Sequence, residues 1–238
     1  MAELRWLGPD DPPDLFPHPE SALRDPDGLL AVGGDLSPER LVAAYERGIF
    51  PWFNEGQPIL WWSPDPRAVL VPDELHISRS LRRTLKRDQF SITIDRAFDA
   101  VIAGCSESRA DTGTWITPEM RQAYQSLHEL GSAHSIEIWQ GESLAGGLYG
   151  VGVGRMFAGE SMFSAVTDAS KVAMVALTWR CRDIGVELID CQLPTPHLER
   201  LGIKCIPRAE YLQRIGDLHQ QPPVDSWNAG PVPCSALL

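Results

Sequence analysis

Two carboxylates stand where a charge is costly. Asp190 lies near the end of the apolar run VELIDCQ at 186–192, and Glu160 sits inside AGESMFS, among small and apolar residues. A charge withdrawn from water needs a partner, so an acid in such a place has a task. If 186–192 is a strand, its period of two puts Asp190 and Gln192 on one face. That favours a functional role for Asp190 and Gln192, and Glu160 is a second candidate. For Glu160 the competing reading is a strand-edge carboxylate paired with Arg155.

A second group of residues suits an anionic, aromatic ligand. At 100° per residue, Arg79, Arg82, Arg83, Lys86 and Arg87 fall within an arc of about 140° on one helix face. Ile77, Leu81 and Leu85 fall opposite, and no acid intervenes between Glu74 and Asp88. A solvated face normally mixes signs, and an unmixed one in a chain of net charge −11 repels itself unless an anion meets it. Trp52, Trp61, Trp62 and Trp115 lie in Pro- and Gly-rich stretches and off any periodic face. They either pack a small domain or stack on unpaired bases.

Other chemistry is not signalled. His128 and His134 lack the spacing of a helical metal-ligand pair, and HExxH, GxSxG and GxxxxGK[ST] are absent. LYGVGVGRM has glycines two apart but no following helix, unlike a dinucleotide fingerprint. The five cysteines are odd in number and form no CxxC, which argues for a reduced, cytoplasmic protein without a zinc site. No apolar run approaches the roughly 18 residues that span a bilayer. The start, MAELRWLGPDD, lacks a basic segment followed by an apolar one, so no secretory leader is expected. The acidic balance taken globally disfavours nucleic acid, but it leaves room for a local basic patch.

The elements that must position these residues read as α+β. Residues 1–66 look like a small, irregular Pro/Gly/Trp-rich domain with one helix, capped by Ser37, opened by Pro38 and closed by Gly48. From 67 to 215 strands alternate with helices. Helices are predicted over 77–87, over 96–105 capped by Asp95, from Thr117–Pro118 to Gly131, over 169–184 capped by Asp168, and around YLQRI. Strands are predicted over 90–95, 135–139, two glycine-containing segments that follow, and 186–192. That order suggests a mixed, mostly antiparallel sheet with flanking helices. Residues 216–238 read as a Pro-rich tail.

The blocks GLLAVGGDLSPERLVAAYERGIFPWF, ILWWSPDPRAVL, LHISRSLRR, GTWITPEM, AYQSLHELGSAHSIEIW, GGLYGVGVGRMFAGESMFS, DASKVA and LIDCQ carry a resemblance. Over about 15–215 the chain resembles the leucyl/phenylalanyl-tRNA–protein transferase family. The resemblance implies a cytoplasmic aminoacyltransferase with an acetyltransferase-like (GNAT-like) main domain. It would move Leu or Phe, and Met less well, from aminoacyl-tRNA to the N-terminal amine of proteins starting with Arg or Lys. Those proteins would thereby be tagged for N-end rule degradation. No cofactor, metal, membrane or DNA is implied. Trp52 and Trp115 match aromatics that hold the 3′-terminal adenosine, and Arg79, Arg83, Lys86 and Arg87 match the face that meets the acceptor stem. Glu160, Asp190 and Gln192 match the polar catalytic group. Phe157 and Ile189 match walls of the aminoacyl side-chain pocket, where Leu148, Met174, Leu177 and Cys181 occupy positions that vary.

Two other classes would use parts of this pattern. A CoA-dependent acetyltransferase needs a Gly-rich turn at a helix N-terminus to cradle pyrophosphate, and SAVTDASK ahead of the long helix has none. A non-catalytic RNA-binding module explains the cations and tryptophans but leaves Glu160, Asp190 and Gln192 without a task.

Overall fold

The computed structural model describes residues 4–108, 113–222, 224 and 226–238. In chain order the strands are β1 (Arg5–Leu7), β2 (Leu29–Gly33), β3 (Phe50–Pro51), β4 (Leu60–Trp62), β5 (Arg67–Leu70), β6 (Ser91–Ile94), β7 (Ala133–Gln140), β8 (Ser143–Val153), β9 (Met156–Ser164), β10 (Leu188–Gln192), β11 (Lys204–Ile206) and β12 (Val232–Pro233). The helices are α1 (Pro38–Glu46), α2 (Arg79–Lys86), α3 (Phe98–Glu107), α4 (Pro118–Glu129), α5 (Ala169–Ile184), α6 (Pro196–Glu199) and α7 (Arg208–His219).

The first four strands form a small sheet in the order β1-β2-β4-β3. Trp61 is fully buried there, its indole N–H donating to the Gly33 carbonyl at 2.9 Å and its ring meeting Phe16 edge-on. Helix α1 starts as its sequence predicts, with the Ser37 hydroxyl accepting from the Arg40 amide. It ends at Gly48, where φ is +71° and a Cβ would lie 2.6 Å from the Tyr211 ring. Glycine is needed there both for handedness and for the close approach of α7.

The remaining strands make an eight-stranded sheet, β11-β5-β10-β9-β8-β7-β6-β12. Its pairings are antiparallel except for β9 with β10. A parallel pair needs a crossover, and α5 supplies it. The mixed α+β class read from the sequence is the one observed. One sheet face carries Leu148, Phe157 and Ile189 against α2 and α5; the other carries Tyr149, Met156 and Ala158 with α3, α4 and residues of the small sheet. The glycines of the LYGVGVG segment lie within β8. At Gly150 the register with β9 shifts, and a Cβ would stand 2.1 Å from the Ala158 carbonyl oxygen. The extra residue of this bulge is Glu160 on β9, since Tyr149 faces Ser161 and Gly150 faces Gly159.

Two predicted caps are placed differently. Asp95 does not cap α3; it has φ +58° and accepts from the Ser135 amide at 2.8 Å and contacts His134 at 2.7 Å. The buried Glu137 of β7 takes the amides of Arg96 and Ala97 at the start of α3 instead. Asp168, at φ +69°, turns its carboxylate to Lys171 and Thr84 rather than to a helix amide. A local sequence pattern identifies an acid before a helix, but a strand brought alongside can supply the cap in its place.

The residues after 216 are not a detached tail. Helix α7 continues to His219, β12 pairs with β6, and Trp227 is buried against His134 and Phe157. The Arg180 guanidinium holds this segment by donating to the carbonyls of Ser226, Trp227 and Asn228. That spacing is irregular and Pro-rich, so no periodicity marks its packing.

Candidate active site

Where β10 leaves the sheet, a cavity of about 500 Å³ opens between the two sheets. Trp52 and Trp115 line it, with Leu148, Met174, Leu177 and Ile189 as apolar wall and Glu160 and Gln192 as polar wall. Trp52 is 42% exposed and tilted against Trp62, whose indole N–H donates to the Trp52 carbonyl at 2.7 Å. An apolar recess beside an exposed indole and a half-buried one accepts a hydrophobic group on one side and a flat aromatic ring on the other.

Phe157 and Cys181 are not among the lining residues. Both are fully buried, Phe157 packing on Trp227 at 5.0 Å between ring centres. Burial pushes the Cys181 thiol well above the usual thiol range. They support the wall from behind.

Glu160 sits at the meeting point of three elements. Tyr45 of α1 donates to its Oε1 at 2.7 Å, and Tyr124 of α4 donates to its Oε2 at 2.8 Å. The two hydroxyl oxygens are 2.5 Å apart. Three O···O contacts need three hydrogens, and the two tyrosines have only two. The triangle is complete when the carboxyl carries a proton. Electrostatics agree: burial pushes the Glu160 carboxyl up from 4.5 to about 7, the two tyrosines and Arg67 pull it down, and the charge of Asp190 raises it further. Both hydroxyls lie well above the usual tyrosine range, chiefly through burial. Arg155 is not the partner of Glu160; it faces Glu187 at 3.6 Å.

Asp190 is fully buried and lies outside the cavity lining. Its Oδ1 accepts from Arg67 Nε at 2.8 Å and from the Gln192 amide at 2.9 Å. Its Oδ2 accepts from Arg67 Nη2 at 2.7 Å and from the Tyr211 hydroxyl at 2.9 Å. Four donors occupy the four acceptor positions of a carboxylate. Arg67 is itself sandwiched by the rings of Phe50 and Tyr211, 4.9 and 4.6 Å from its guanidinium carbon. The Asp190 charge holds this guanidinium protonated even more firmly than usual, overcoming the opposing effect of burial.

The shared face expected for Asp190 and Gln192 is not found. The pairing of β10 with β5 shifts between them, and Gln192 has φ +53°. This bulge adds a residue, which turns Gln192 toward the cavity with Ile189 and Cys191. Asp190 therefore touches Gln192 through the main chain, and the Gln192 side-chain amide lies 3.5 Å from the Asp190 carbonyl oxygen.

Sequence reasoning missed Tyr45, Tyr124, Arg67 and Tyr211. A signal existed for Arg67, which heads the apolar strand RAVL. The tyrosines sit on ordinary amphipathic helices and read as core.

Helix α2 keeps its predicted faces. Leu81, Thr84 and Leu85 are buried, while Arg79, Arg82, Arg83, Lys86 and Arg87 are exposed. Among the described residues no carboxylate forms an ion pair with any of the five. No group of three or more metal-ligating side chains occurs among the described residues, and no helix there is long and apolar enough to cross a membrane.

The family model described as leucyl/phenylalanyl-tRNA protein transferase matches residues 69–216, and that of the same family's N-terminal domain matches 34–65. The leucyl/phenylalanyl-tRNA–protein transferase of Stutzerimonas stutzeri is 55% identical over 227 residues, covering 95% of this chain and all of that one. The enzyme of the same name from Edwardsiella ictaluri is 58% identical over 206 residues, covering 87% and 85%. Among solved structures, that of L-PGS from Bacillus licheniformis aligns at a TM-score of 0.41 and 11% identity over 70% of this chain and 54% of that one, too remote to bear on the fold. With family matches on both sides of Pro66 and relatives alike along nearly their whole length, the chain belongs to the leucyl/phenylalanyl-tRNA–protein transferase family.

Proposed function

We propose that this protein transfers leucine or phenylalanine, and methionine less well, from the 3′ end of a charged tRNA to the N-terminal amine of an acceptor protein beginning with Arg or Lys. The product would enter N-end rule degradation in the cytoplasm. The observation that carries this reading is the cavity itself. It joins an apolar recess, two indoles and two polar groups in one space, and the unpaired cationic face of α2 is on the same chain. The parallel β9–β10 pair bridged by α5 is compatible with an acetyltransferase-like main domain.

In this reading the amino-acid side chain enters the recess between Leu148, Met174, Leu177 and Ile189. The terminal adenine stacks on Trp52 and Trp115, and the α2 cations meet the acceptor-stem phosphates. The ester is already activated, so catalysis is mainly placement and management of one proton. An α-ammonium has an ordinary pKa near 8, so a base near 7 accepts its proton at little cost. Glu160, at about 7, is that base. The proton passes to Glu160 and completes its triangle with Tyr45 and Tyr124. The free amine is held by the Gln192 carbonyl oxygen and attacks the ester carbon. A C–N bond forms, the C–O bond breaks, and the ribose oxygen leaves with the proton that the attacking nitrogen sheds on becoming an amide.

Asp190 has all its acceptor positions filled and acts as a positioning residue that fixes the bulge presenting Gln192. The deciding experiment offers radiolabelled leucyl-tRNA or labelled acetyl-CoA to an acceptor starting with Arg. Label passing from leucyl-tRNA to the acceptor's N-terminus is expected. Transfer from acetyl-CoA, or tRNA binding without transfer, would overturn the reading.

A further inference from the structure

Beside the cavity lies a second recess of about 370 Å³, and its polar lining is two cations, two imidazoles and two hydroxyls, with no carboxylate. His76, Ser78 and Ser80 come from the start of α2 and the residues before it, Lys171 from the first turn of α5, and His197 and Arg200 from α6 and its C-terminal cap. The first turns of α2 and α5 hold no acid. A lysine in a helix's first turn opposes the helix dipole, so Lys171 stands where a helix by itself disfavours a cation. Asp168 binds Lys171 Nζ at 2.6 Å and leaves it 42% exposed, with further donors to offer. Arg200 spends one N–H on the Pro196 carbonyl.

His197 belongs to both recesses. Its Nε2 is closed off and has no hydrogen-bond partner among the described residues. Its imidazole is held below the usual range, first by burial and then by the charges of Lys171 and Arg200. The shared wall thus faces cations and holds an unused hydrogen-bonding atom.

We propose that this recess binds a phosphodiester of the unpaired 3′ CCA strand, through Lys171 and Arg200 with the Ser78 and Ser80 hydroxyls. The inference rests on the tRNA-dependent reading above and extends it. It supplies a stepping stone between the exposed α2 cations, which suit a duplex backbone, and the indole-lined cavity, which suits the last base. Ser78 and Ser80 flank Arg79 in the chain, and His197 is common to both recesses. A strand running from α2 to Trp52 would pass the recess. Single-stranded nucleic acid is held in this way, by cations along the backbone and aromatics under the bases.

The test compares two esters on the full-length protein: phenylalanyl-adenosine, which has no phosphate, and the trinucleotide CCA esterified with phenylalanine, which has two. The variants are Lys171→Ala, Arg200→Ala and the double change. The double variant is expected to bind the trinucleotide ester about tenfold more weakly, because two partly exposed charge contacts are lost. Its slope of log affinity against log salt is expected to shallow by about 0.7, the value for one single-strand phosphate. Affinity for phenylalanyl-adenosine should not change, which also shows that the fold and cavity are intact. Equal losses for both esters, or no loss for either, would overturn the proposal. So would a rise in the acceptor's KM with trinucleotide affinity unchanged, because the recess would then serve the acceptor. Failure of the wild-type protein to transfer from leucyl-tRNA would count against the function proposed above; the phosphate-dependent difference in binding is read independently of it.

Discussion

Replacing Glu160 by Gln isolates the proton on which the proposed chemistry turns. The carboxyl titrates near 4.5 when the chain is unfolded and near 7 when folded. A group whose folded pKa is raised binds more protons in the native state between those values, so its contribution is fully present below pH 4.5 and fades as pH rises through 7. The difference of about 2.5 units corresponds to roughly 3 kcal/mol at 1.36 kcal/mol per unit. Glutamine supplies at every pH the third hydrogen that the Tyr45–Tyr124 triangle needs, because its amide donates to one hydroxyl while its oxygen accepts from the other. Glu160→Gln should therefore match the wild type in stability near pH 4.5 and exceed it by up to about 3 kcal/mol at pH 8. Urea unfolding at half-unit pH steps, followed by tryptophan fluorescence, measures this gap. Turnover should fall sharply while charged-tRNA affinity holds, since amide nitrogen takes no proton from an amine. Stability curves that stay parallel from pH 5 to 8 would refute the raised pKa and the triangle argument with it.

Arg67→Ala should lower stability by about 3–5 kcal/mol in urea at pH 7, because Asp190 stays buried without its cation; a loss under about 1 kcal/mol would mean that Tyr211 and the Gln192 amide suffice. Trp52→Ala should weaken phenylalanyl-adenosine binding by about 1–3 kcal/mol, the usual worth of a base–aromatic stack. A loss seen only with whole tRNA would remove the indole from the adenine. The double change Arg79→Ala with Arg83→Ala should shallow the salt dependence of charged-tRNA binding by about 1.8, at roughly 0.9 per phosphate contact; an unchanged slope would make the face merely solvated. Trp227→Ala should cost about 3–5 kcal/mol in thermal or urea unfolding, as expected for a buried indole. A negligible loss would mean that the C-terminal segment is not part of the core.

Much of this protein is determined by local pattern. The α2 faces follow from 100° spacing alone, because a helix only a few turns long leaves five cations no other side once Leu81 and Leu85 are buried. The Ser37 and Thr117 caps hold because their hydroxyls bond within the next three residues, whatever lies beyond. Glu160 and Asp190 are visible as acids in apolar runs, since burying a charge is costly in any fold. What such a rule cannot say is who pairs with them. Arg67 meets Asp190 across 123 residues of chain, and Tyr45 meets Glu160 across 115. Those contacts depend on which strands lie side by side and on how α1 and α4 come together over β9. The same holds for Glu137 displacing Asp95 at the start of α3, and for Trp227 sealing the far side of the sheet. The bulge before Gln192 is the clearest case. Period-two counting puts that side chain on the face of Asp190, and one extra residue, accommodated only because β5 pairs out of register there, delivers it to the cavity.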